Sequence, residues 1–142
     1  MYLATEPDVL DDRRPVVLTL DAASSQAPLA RSVAETLAIL YGFGLDEVAD
    51  IKLAVDEACA QLERPVADHP AITMTMEVRR RVMSVSVSAE LPAESAVRES
   101  GFGWHVLHTL TDDAHAAVDD AESGSTGRRW SIVFTKNSGL PE

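Results

Sequence analysis

At 142 residues the chain is sized for one domain with a single core, and its 46% hydrophobic and 25% charged content fits a soluble globular protein and excludes an intrinsically disordered one. Twelve basic against 23 acidic residues give a formal charge of -11, which repels nucleic-acid phosphates and acidic lipids and favours basic partners. Neither direct nucleic-acid contact nor membrane attachment is therefore expected. The single cysteine, Cys59, excludes an internal disulfide, and with no signal-peptide pattern and no apolar run of about 18 residues the cytoplasm is the expected compartment.

Residues 1–14 are polar and aperiodic and read as a flexible arm, 15–137 as the folded domain and 138–142 as a C-terminal tail. Val16 to Leu20 is a β-branched run after Pro15 and predicts a strand. Ser24 and Ser25 then offer an N-cap for a helix in which Leu29, Val33, Leu37 and Leu40 recur at helical spacing, stopped by Gly42-Phe43-Gly44. Asp46 can cap a second helix, whose Val48, Ile51, Val55, Ala58 and Leu62 form one apolar stripe. Asp50, Ala54, Glu57 and Gln61 lie on the neighbouring stripe, at the lip of whatever that helix packs against.

Ile72, Met74, Met76 and Val78 alternate with polar residues, as do Val85 and Val87, so the Arg79-Arg80-Arg81 turn joins a hairpin. A third helix opens at Gly101-Phe102-Gly103 and carries Trp104, Val106, Leu107 and Leu110. Two more strands follow at Ala114 to Val118 and Trp130 to Thr135. This order predicts an α/β (α+β) two-layer sandwich, a mostly antiparallel sheet covered on one face by about three helices.

The segment Asp50-Ile51-Lys52-Leu53-Ala54-Val55-Asp56-Glu57-Ala58-Cys59-Ala60-Gln61 resembles the N-box helix of the anti-sigma serine kinases in the GHKL superfamily, where a catalytic Glu precedes an Asn by four residues. Ser100-Gly101-Phe102-Gly103-Trp104-His105-Val106-Leu107 is similar to the family's second glycine box, and Leu110-Thr111-Asp112-Asp113 resembles the acidic end of the following helix. Leu29-Ala30-Arg31 resembles the place where the family keeps an arginine that grips the sigma factor. The likeness spans most of residues 16–137 and is closest to the actinobacterial anti-sigma factors of the stress and sporulation type. It implies a GHKL ATPase-like fold, a sigma-factor partner bound through Arg31, a STAS-type anti-anti-sigma antagonist, and a homodimer.

The departures from that pattern concern the nucleotide. In the family the Glu activates the attacking hydroxyl while the Asn amide oxygen ligates Mg²⁺ beside the ATP phosphates. Here Glu57 remains but Gln61 replaces the Asn, with the same amide on a longer, looser arm. The first glycine box should place an adenine-reading Asp and a nearby Gly just after Val85-Ser86-Val87-Ser88, yet the chain reads Ala89-Glu90-Leu91, with Glu90 aimed at the opposite strand face. Losing that acceptor costs about 1 to 3 kcal/mol if the contact is buried. The loop that folds over the triphosphate in active members is cut to roughly Pro92 to Ser100.

Gly101 and Gly103 keep a helix N-terminus suited to an anion, although a plain turn accounts for them equally well. His105 and His108 lack the further ligands a zinc site needs, so no metal centre is expected. The expectation is a degenerate site, with Glu57 in the catalytic position, Gln61, Gly101 and Gly103 as cofactor-binding remnants, and weak or absent ATP and Mg²⁺ binding. The expected function is an anti-sigma factor that sequesters a sigma factor. The alternative is an active serine kinase that phosphorylates its anti-anti-sigma partner from ATP.

Overall fold

The computed structural model describes residues 14–21, 26–63, 71–120 and 127–139. The elements are β1 (Val16–Asp21), α1 (Ala27–Leu40), α2 (Leu45–Leu62), β2 (Ala71–Arg79), β3 (Val82–Pro92), α3 (Phe102–Leu110), β4 (Asp113–Asp120) and β5 (Gly127–Asn137). The five strands pair antiparallel in one sheet, in the order β1-β2-β3-β5-β4. The α+β sandwich with three helices is as expected from the sequence. The arm at 1–14, apart from Arg14, and the Ser24–Ser25 cap lie outside the described residues.

Two-residue alternation sets the two faces of the sheet. Ile72, Met74 and Met76 on β2 and Met83, Val85, Val87, Ala89 and Leu91 on β3 are buried. Their register places Met74 beside Val87 and Met76 beside Val85, so each buried side chain meets another across the ladder. Thr73, Thr75, Ser84, Ser86 and Ser88 take the other, partly exposed face. The hairpin turns through Arg80 and Arg81 with φ of 51 and 66, the left-handed pair of a tight two-residue turn.

α2 buries the expected stripe of Val48, Ile51, Val55, Ala58 and Leu62, together with Ala54 and Cys59. Full burial of each larger aliphatic side chain contributes about 1.5 to 3 kcal/mol. Asp46 does not cap it. The helix begins at Leu45, two residues earlier than an Asp46 cap allows, and Gly44 takes the cap position, leaving Asp46 and Glu47 in the first turn where they face the positive end of the helix dipole. Ser138, at the start of the tail, is buried; its N–H donates to the Arg81 carbonyl and its carbonyl accepts from the Gly44 N–H.

α1 departs from expectation. Its leucine and valine stripe is only partly buried, with Val33 and Leu37 half-covered against the core, because α1 packs chiefly on α2 and does so through Ala30, Ala34 and Ala38, all fully buried. Alanines allow that close approach, whereas leucines would hold the two axes apart. Leu29 and Leu40 are left 55% and 72% exposed.

Candidate functional site

Glu57 and Gln61 stand one turn apart on α2, and Gly103 in the first turn of α3 lies against them. Gln61 Nε2 donates to Glu57 Oε2 at 2.9 Å. A Cβ on Gly103 would come within 2.5 Å of Gln61 Nε2 and closer still to Glu57 Oε2, so the pair fills the space that the missing side chain leaves. Gly101 is required for a different reason: it caps α3 at φ 91 and ψ 174, a positive-φ extended conformation that is essentially glycine's alone and costs a residue with a Cβ about 1 to 3 kcal/mol. Its carbonyl accepts from the His105 N–H at 3.0 Å, and buried Trp104 seats the helix in the core. The structure thus brings together the two separated motifs that the sequence singled out.

Ala89 and Leu91, at the positions matching the adenine-reading box, are 0% and 1% exposed and belong to the core, while Glu90 points outward. The side chains at 89 and 91 therefore offer a ligand no hydrogen-bonding atom.

Deeper along α2, Asp50 Oδ2 accepts from Lys136 Nζ at 2.9 Å, and the same ammonium donates to the Leu110 carbonyl at 2.8 Å. This cation, 13% exposed, joins α2 and β5 and closes the C-terminal end of α3. Burial pushes the Cys59 thiol up to about 12, with smaller contributions from the charges of Asp56 and Glu63, which leaves it protonated and unreactive at neutral pH.

Arg31 lies at the junction of α1 and α2, its Nε 3.4 Å from Asp56 Oδ1. Beside it Lys52 Nζ donates to Glu35 Oε2 at 3.1 Å. Opposite charges also stand four residues apart on each helix, Arg31 with Glu35 and Lys52 with Asp56, but that spacing signals pairs within a helix and not the two pairs that cross the junction. Burial raises the Asp56 carboxyl, against the opposing pull of Arg31 and Lys52. On the other flank of α1, Val16, Leu29, Val33, Leu37 and Leu40 line an apolar groove of about 310 Å³. Arg31 and Val33 are separated by about 200° around the helix, so the cationic and apolar flanks face different ways.

No family model matches the chain. The anti-sigma-F factor RsbW of Mycobacterium tuberculosis, in each of two strains, is 29% identical to it over 122 residues, which is 86% of this chain and 73% of the relative. Over that span the chain is similar to an RsbW-type anti-sigma factor. A crystal structure of the RsbU and RsbW domains of one Mycobacterium tuberculosis protein matches with a TM-score of 0.56 at 16% identity, covering 92% of this chain and 34% of that longer one. At that identity the RsbW-domain match speaks for the fold alone. No helix among the described residues is long and apolar enough to cross a membrane.

Proposed function

We propose that the chain is an anti-sigma factor that binds and sequesters an alternative, stress- or sporulation-type sigma factor through α1 and is relieved by a STAS-type anti-anti-sigma factor. The apolar flank of α1, with Leu29 and Leu40 exposed and Val33 and Leu37 half-buried between them, carries the reading. Leu29, Val33, Leu37 and Leu40 leave a contiguous apolar groove on the folded chain, and such a patch marks a protein-binding surface. The charge of -11 steers it towards the basic surface of a transcription factor and away from nucleic acid. The name of the RsbW relatives, anti-sigma-F factor, points the same way. The resemblance adds a homodimer and a cytoplasmic setting to this reading.

In the same reading the nucleotide site has decayed. Its support is the apolar burial of Ala89 and Leu91 and the engagement of Glu57 by Gln61 in the space over Gly103. Glu57, Gln61, Gly101 and Gly103 are then remnants of an ATP and Mg²⁺ site that now brace α2 against α3, and the residues do not fit that cofactor as the family holds it. A kinase would need Glu57 to exchange the Gln61 amide for an attacking serine hydroxyl. Calorimetric titration of a purified sigma-F-type sigma factor into the chain without nucleotide tests the proposal. A saturable one-to-one heat per chain is expected, and no heat at micromolar concentrations removes the reading.

A further inference from the structure

Four charged side chains at the junction of α1 and α2 alternate in sign and form two pairs across it. Arg31 and Glu35 stand one turn apart on α1, and Lys52 and Asp56 one turn apart on α2. Across the junction Arg31 Nε lies 3.4 Å from Asp56 Oδ1, and Lys52 Nζ lies 3.1 Å from Glu35 Oε2. Beneath them the helices meet through Ala30 and Ala34, which fix a close spacing and place no charge.

Asp56 differs from the other three members. Its Oδ1 is shut off from solvent and accepts no hydrogen bond among the described residues, so its nearby partner is the Arg31 guanidinium. At that one buried oxygen the field of the neighbouring cation is screened less than in open solvent, although both side chains are about a third or more exposed. Arg31 approaches that oxygen with Nε, and a guanidinium has five N–H donors in one plane, enough for a second acceptor at the Nη edge. The arginine side chain is 39% exposed, so that second acceptor can come from outside.

We propose that Asp56 is the positioning residue for Arg31: it fixes the guanidinium at the exposed seam between α1 and α2, with the Nη edge presented to a carboxylate of a protein partner. The identity of that partner as a sigma factor rests on the anti-sigma reading; the positioning does not. Asp56 directly precedes Glu57, so α2 offers one carboxylate to α1 and the next to α3. Exposed ion pairs add little to stability, and a site that disfavours the charged carboxylate accepts its neutral amide, so Asp56→Asn leaves the fold intact.

The test combines two measurements on the full chain for the wild type, Asp56→Asn and Asp56→Glu. The Arg31 Nε–H signal in nitrogen-15 relaxation spectra is expected to be motionally restricted in the wild type and mobile in Asp56→Asn, with Tm unchanged. Affinity for a purified sigma-F-type sigma factor should fall about tenfold in Asp56→Asn and largely return in Asp56→Glu. A restricted Arg31 signal in Asp56→Asn overturns the proposal, as does undiminished affinity of that variant for a sigma factor that the wild type binds. If the wild type binds no sigma factor, the anti-sigma reading fails, and the Nε signal alone decides whether Asp56 places Arg31.

Discussion

Alanine at Gly103 places a methyl group in the space that Glu57 and Gln61 occupy. Its Cβ would lie within 2.5 Å of Gln61 Nε2 and nearer to Glu57 Oε2, whereas such atoms pack at about 3.5 Å, so one or both side chains must leave. A hydrogen bond to an ionised acceptor contributes about 1.5 to 3 kcal/mol, and losing the one between Gln61 and Glu57 gives the cost. Alanine in place of glycine within a helix returns up to about 1 kcal/mol. The balance is a loss of about 0.5 to 2 kcal/mol, a fall in Tm of about 2 to 8 °C for a chain of this size. In a Glu57→Ala, Gln61→Ala background the obstruction is gone, and Gly103→Ala should be neutral or stabilising. Urea unfolding followed by tryptophan fluorescence and circular dichroism measures both backgrounds. A loss of the same size in each would refute the packing of the pair over Gly103, because the difference between them reports that contact.

Two further outcomes follow from groups outside that corner. The Cys59 thiol sits at about 12 in the fold against 9.0 ordinarily, so its contribution to stability is complete below pH 9.0 and is lost as pH rises towards 12. A thiol reagent at pH 8 should therefore label native protein no faster than the chain unfolds, and rapid stoichiometric labelling would contradict the burial. Lys136→Met strands the Asp50 carboxylate and the Leu110 carbonyl beside an apolar side chain, which should cost about 3 kcal/mol in urea unfolding. Adding Asp50→Asn should recover part of that loss, and a cost below about 0.5 kcal/mol would show that the ammonium does not matter to the fold.

The order of elements was legible because each carries its own period: alternation along β2 and β3, and the three-four spacing of Val48, Ile51, Val55, Ala58 and Leu62 on α2. The meeting of Glu57 with Gly103 was legible for another reason, since each lay in a motif whose companion was recognisable. The buried face of α1 was not. Its leucines gave the stronger hydrophobic signal, yet the small volume of Ala30, Ala34 and Ala38 decided which side could approach α2, and a periodicity weighted by hydrophobicity does not see volume. The cap of α2 was misplaced because Asp46 is a good capping residue by type, while Gly44 takes the position through backbone conformation. The Arg31–Asp56 contact depends on how two helices are set against each other, which spacing within either helix leaves open.

The central claim is that α1 captures a sigma factor while the corner around Glu57 transfers no phosphoryl group. Calorimetric titration of a sigma-F-type sigma factor into the wild type, with and without Mg-ATP, and into Val33→Asp tests it most directly. The expected result is the same affinity with and without nucleotide and a loss of at least about tenfold in Val33→Asp, where a charge enters the apolar groove. Binding that requires Mg-ATP, or that Val33→Asp leaves intact, would contradict it.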